Sequence, residues 1–189
     1  MDAFSYLSVL LSIIIGLAIT QVLQGYRALL LARQNVRLYF PTIAWSVYLL
    51  LMATQSWWAS FGLSDRRDWS FVSFTIILLQ TVFLYMIAGL VFPDMPADRP
   101  TELRAHYHRE ARPFFLLIVL MLATSLLKDW VLDYELPGPE NLLFHAAFAS
   151  TSLLAMLSAR EWLHRTLAIL TGVLLVAYVG LLFARLSLA

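Results

Sequence analysis

The chain has 189 residues, of which 61% are hydrophobic and 13% charged, with a net charge of +1 and a mean hydropathy of +0.77. A soluble domain is nearer half apolar and a quarter charged, so this composition points to a bilayer as the solvent. The near-neutral charge and lack of a basic run argue against nucleic acid as a partner, and zero cysteines exclude disulfides, thiolate metal sites and cysteine nucleophiles.

A spanning helix needs roughly 20 mostly apolar residues. Six stretches qualify, and in chain order the first is about Phe4–Leu31. It lacks a basic n-region and outruns a signal-peptide core, so it is expected to be a retained helix. Small and polar residues recur in it every four positions: Ser8, Ser12, Gly16, Thr20 and Gln24, with Gln21 alongside. Residues four apart share one ridge of a helix, and small ones admit a second backbone at close range. The second stretch, about Phe40–Leu63, carries Pro41 in its first turn, where the missing N–H matters little. The third, about Trp69–Phe92, stops at Pro93, Pro96 and Pro100.

Between the third and fourth stretches lies the longest polar segment, about Asp94–Arg112. Its second half, Thr101 to Glu110, reads as a short interfacial helix on the cytoplasmic side. The fourth stretch, about Pro113–Leu132, again opens on proline. The fifth is about Asn141–Ala159 and the sixth about Trp162–Leu186, and the few residues between them predict a tight antiparallel hairpin. The expected fold is an all-α integral membrane domain of six spans with short loops.

Arginine placement orients it. Arg27, Arg33, Arg37, Arg99, Arg104, Arg109, Arg112, Arg160 and Arg165 fall at one end of the spans, against Arg66, Arg67, Lys128 and Arg185 at the other. The positive-inside rule puts the larger group in the cytoplasm and both termini outside. The Arg66-Arg67 pair is the counter-signal.

Intramembrane polar residues are the candidates for function. An unpaired amide in hydrocarbon costs several kcal/mol, so Gln21, Gln24, Gln55 and Gln80 should face protein or water. With Thr20 they either line a path or bond neighbouring helices together. Counted by depth, Gln21 and Gln24 lie in the inner half, Gln80 near the middle and Gln55 in the outer half, so one ligand should not meet them all. Lys128, Asp129 and His145 share the opposite end from the arginine cluster. They form either a vestibule for a small polar or anionic ligand or, with snorkelling, an interfacial ion pair. An enzyme built on that trio is a distant possibility, because no nucleophile motif accompanies it. No acid or base sits mid-span in stretches one, two, three or six, which argues against a proton pump or voltage sensor.

Small-residue rows also occur at Ala168, Gly172 and Gly180 in the sixth stretch. With Ser12 and Gly16 they mark either ordinary packing or a seam with a second copy or a membrane partner. His106 and His108 are two apart and would diverge on a helix, so no metal site is expected, and no cofactor is implied.

The segments Tyr6 to Gly25, Trp57-Trp58-Ala59-Ser60-Phe61-Gly62 and Arg104-Ala105-His106-Tyr107 together resemble a family of small uncharacterised bacterial inner-membrane proteins. The resemblance implies a multi-pass inner-membrane location and transfers no functional residue. The expected function is a channel or carrier for a small solute or ion along an uncharged hydroxyl and glutamine path. The alternative is a non-transporting accessory subunit that oligomerises through small-residue faces.

Overall fold

The computed structural model describes residues 3–64, 66, 68–96 and 99–182. Six α-helices account for most of them: α1 (Ala3–Leu31), α2 (Phe40–Ala59), α3 (Phe71–Leu90), α4 (Leu103–Asp133), α5 (Pro139–Leu157) and α6 (Glu161–Leu182). Four of these, α1, α3, α4 and α6, are long and apolar enough to cross a membrane. The predicted helix ends at Arg185 and Leu186, and the loop residues Asp65 and Arg67, lie outside the described residues.

The helices form a closed ring. Going round it, α1 packs on α2, α2 on α6, α6 on α5, α5 on α4, α4 on α3, and α3 returns to α1. Successive helices alternate in direction. The end holding the start of α1 and the end of α6 is called upper here, and the opposite end lower.

Local chemistry explains most boundaries. Pro41 and Pro139 occupy first-turn positions of α2 and α5. Ser70 and Ser73 close a reciprocal capping box at the start of α3. A 3₁₀ segment, Ser60–Leu63, extends α2 toward the upper end.

The segment before Pro113 departs from expectation. No separate interfacial helix forms there. Residues from Leu103 onward join α4, which passes through Pro113 as one 31-residue helix. An interior proline removes one backbone hydrogen bond and strains the preceding turn. Anchors on both sides hold the helix through it. His106 Nε2 donates to the Leu90 carbonyl at 2.9 Å, Tyr107 bonds His164 at 3.0 Å, and Phe114 and Phe115 are buried.

Two further ties brace the ends. At the lower end, β1 (Val36–Arg37) pairs in parallel with β2 (Thr101–Glu102), and Arg37 meets Glu102 at 2.9 Å. At the upper end, Arg66 bonds the Leu132 carbonyl at 2.7 Å and pairs with Asp133.

The small-residue rows divide. On α1 the packed face is Leu7, Leu11, Ile15, Ala18 and Val22, so Ser12, Gly16, Thr20 and Gln24 face away from the ring. A Cβ placed at Gly16 or Gly180 would meet nothing within 4 Å. Gly172 is different, because a Cβ there would collide with the Tyr48 hydroxyl, which donates to the Ala168 carbonyl at 3.0 Å. Gly25, which the row pattern passed over, lies against the Phe92 ring.

Gly172→Leu should therefore push α2 from α6 and lower stability by about 1–3 kcal/mol, as overpacking does. Gly89→Leu, at a site with open space, should change it by no more than about 0.5 kcal/mol. Thermal unfolding in detergent distinguishes them, and equal shifts would contradict the α2–α6 contact.

Candidate functional site

The ring encloses a cavity in its upper half, with all six helices on its walls. It consists of two adjoining chambers that share Gln55, Ser56, Gln80, Ser125 and Tyr178. The upper chamber holds about 230 Å³ of water-accessible space and the deeper one about 80 Å³. Either is well above the ~10–15 Å³ that one water requires.

Helical periodicity builds these walls. On α2, Met52, Gln55, Ser56 and Ala59 fall along the inner face. On α4 that face is Ile118, Met121, Leu122, Ser125, Lys128 and Asp129, and on α5 it is Asn141, His145, Phe148 and Ser152. α6 adds Thr171, Leu175 and Tyr178. Spacings of three and four keep each set on one side of its helix. α2 and α5, which fall outside the four helices long and apolar enough to cross a membrane, also place polar groups on these walls.

Gln55 and Gln80 meet here, although their sequence depths suggested different levels. The 3₁₀ extension moves the upper end beyond Ala59. Gln55 then sits roughly two turns before Leu63, and Gln80 about two and a half turns after Phe71. Both amides thus line the same cavity.

Lys128 and Asp129 sit on the upper chamber, with Nζ and Oδ1 3.2 Å apart and each side chain about one quarter exposed (24% and 22%). Among the described residues, they are the only charged side chains on either chamber's wall. His145 lines the deeper chamber and is buried. Its Nδ1 lies 2.9 Å from the Asn141 carbonyl. A carbonyl only accepts, so Nδ1 carries a proton and donates it. The expected trio is therefore split: Lys128 pairs with Asp129, and His145 is held by its own helix.

Two wall atoms have no hydrogen-bond partner among the described residues, Asn141 Oδ1 and Thr171 Oγ1. Buried polar atoms are ordinarily satisfied, and orphans of this kind concentrate where water or a ligand completes the site.

The cavity stops at Trp45. This indole is 4% exposed and packs edge-on against Phe114 and Phe115, each with ring centroids 5.3 Å away. Beneath it lies a second layer of Tyr39, Tyr107, His108 and His164. His164, 1% exposed, has both ring nitrogens engaged. Nε2 donates to the Ser158 carbonyl at 2.8 Å, so Nδ1 accepts from the Tyr107 hydroxyl at 3.0 Å. Burial, followed by the nearby Glu161, pushes the Tyr39 phenol above its ordinary pKa and keeps it protonated. Glu161 bridges Arg104 at 2.5 Å and Arg165 at 2.6 Å on the rim.

Thr20, Gln21 and Gln24 stand apart from the cavity. Thr20 bonds its own Gly16 carbonyl at 2.8 Å, and Gln21 donates to the Tyr85 hydroxyl on α3 at 3.2 Å. Gln24 is on the exposed face of α1. Wall residues that sequence reasoning passed over are Ser56, Ser125, Asn141, Ser152, Thr171 and Tyr178. The signal for α5 was available, since Asn141, His145, Phe148 and Ser152 follow a helical period.

No family model matches the chain, and no curated protein or solved structure matches it.

The cavity and its floor make opposite predictions for accessibility in this cysteine-free chain. Ser125→Cys should react readily with a small charged thiol reagent. Ser46→Cys replaces a fully buried hydroxyl bonded to Tyr26 at 2.7 Å and should react at least about tenfold more slowly, as expected where thiol reactivity follows exposure. Equal protection of both would mean that water does not enter the ring.

Proposed function

We propose that the protein is a six-span carrier of the bacterial inner membrane that takes up a small polar solute at the upper end. The observation that supports this best is the polar cavity on the ring axis, open above and stopped by aromatic side chains below. α2 and α5 complete the six spans in this reading, their lower hydropathy following from the cavity they line. The arginine asymmetry places the upper end outside, with both termini on that side.

The closed floor favours a carrier over an open pore. A pore needs continuous water, whereas Trp45, Phe114 and Phe115 fill the axis. In a carrier that layer parts while the solute is held above it. The work of Gln55, Gln80 and Ser125 is to replace the solute's water hydrogen bonds. Positive charges are confined to the mouth and the rim, so ion-coupled mechanisms that depend on mid-span titration find no support.

In proteoliposomes offered radiolabelled urea, glycerol, glycine and leucine, uptake of at least one should depend on the protein. Gln80→Leu should lower that uptake by tenfold or more with expression and melting temperature retained. Unchanged uptake together with a lower melting temperature would make Gln80 helix glue and end the carrier reading.

The outward face of α1 favours an additional property, association with a second copy or a membrane partner. Gln24 on that face would otherwise meet lipid, which is unfavourable for an amide, and Gly16 offers space for another backbone. Gly16→Leu should reduce the mass of the detergent-solubilised particle. A monomer before and after the change would refute the association.

A further inference from the structure

Resting on the carrier reading, we propose that the cavity's solute is a small zwitterion, carrying an ammonium and a carboxylate at one end and a compact aliphatic group at the other. An α-amino acid such as leucine is the simplest member of this class.

The charge pattern carries the inference. Among the described residues, Lys128 and Asp129 are the only charged side chains on the walls, and they have opposite signs. A purely cationic or anionic ligand would pair with one and be repelled by the other. A neutral ligand could hydrogen-bond to either but would gain no charge pairing from them. A zwitterion matches both, so the site's net charge of zero selects for it.

Geometry adds capacity for such a ligand. Adjacent residues on a helix project about 100° apart, so Lys128 and Asp129 flank the chamber and reach each other by a single contact at 3.2 Å. An ammonium has three donors and a carboxylate about four acceptor positions, which leaves each able to take a second partner. Asn141 Oδ1, the orphan acceptor on the same chamber, adds a site for the ligand's N–H groups. The ligand carboxylate would then meet Lys128, and its ammonium would meet Asp129 and Asn141.

The deeper chamber sets the other end. Its walls include Met52, Ile118, Met121, Leu122, Phe148 and Leu175, with Trp45 as its base. Its volume of about 80 Å³ suits a few aliphatic carbons. Thr171, 4% exposed and without a partner for its hydroxyl among the described residues, also lies on this wall.

The test is calorimetric titration of the full chain in nanodiscs with leucine, its methyl ester and N-acetylleucine. The ester keeps the positive charge alone, and the acetylated form keeps the negative charge alone. Leucine should bind at least tenfold more tightly than either. Asp129→Asn should weaken leucine tenfold or more and bring it within threefold of N-acetylleucine, whereas Asp129→Glu should restore the preference. Lys128→Met should likewise bring leucine within threefold of the methyl ester. Equal binding of all three ligands by the unaltered protein, or an Asp129→Asn variant with undiminished preference, would overturn the proposal.

The two readings fail separately. If none of the three ligands binds while Gln80→Leu still abolishes uptake of urea or glycerol, the zwitterion is wrong and the carrier stands. If leucine binds with the stated preference but no solute crosses, the site is correct and the protein is a membrane-embedded receptor for it.

Discussion

An amide in hydrocarbon must find a partner or water, and that requirement organises this molecule. Gln55 and Gln80 both turn inward, onto the walls of one shared cavity. A solid bundle would bury them dry, at a penalty of several kcal/mol each. The ring of α1, α2, α6, α5, α4 and α3 avoids that by leaving space on its axis. The inward polar positions of α2, α4 and α5 fall on the faces that line this space.

The two ends of the axis are built on different principles. The lower half is close-packed: Trp45 is wedged against Phe114 and Phe115, and His164 spends both nitrogens on Ser158 and Tyr107, although the buried Thr42 hydroxyl oxygen has no partner among the described residues. Fully bonded buried groups such as His164 rigidify a core. The upper half leaves space, an ion pair with unused capacity, and orphan atoms on Asn141 and Thr171. Proteins depart from complete packing and bonding chiefly where they bind something. The rim pairs of Glu161 with Arg104 and Arg165 are half-exposed and contribute little to stability. Their part is to hold the ends of α4 and α6 together below the aromatic layer.

Much of this was legible in the chain. Hydropathy, with Pro41 opening the second stretch, located the helices other than α4 to within a few residues, and the short fifth-to-sixth connection gave the hairpin. Pro113 misled, because a proline reads as a boundary unless tertiary anchors on either side hold the helix through it, as His106, Tyr107, Phe114 and Phe115 do. The α1 row does not pack within the ring. Small residues every four positions mark a face on which packing is possible, but the larger Leu7, Leu11, Ile15 and Val22 took the inner side. Gln55 and Gln80 could be recognised as needing partners, yet their meeting depends on which helices are neighbours round the ring. Single-chain periodicity defines the face of a helix without defining what stands opposite it.

The central claim is a water-filled cavity on the ring axis that ends at Trp45. A high-resolution map of the protein in lipid tests it most directly. Ordered water or polar ligand density should lie against Gln55, Gln80, Lys128 and Asn141, with none between the Trp45 layer and His164. Acyl-chain density filling the axis, or a file of water running past Trp45 to the lower face, would contradict it.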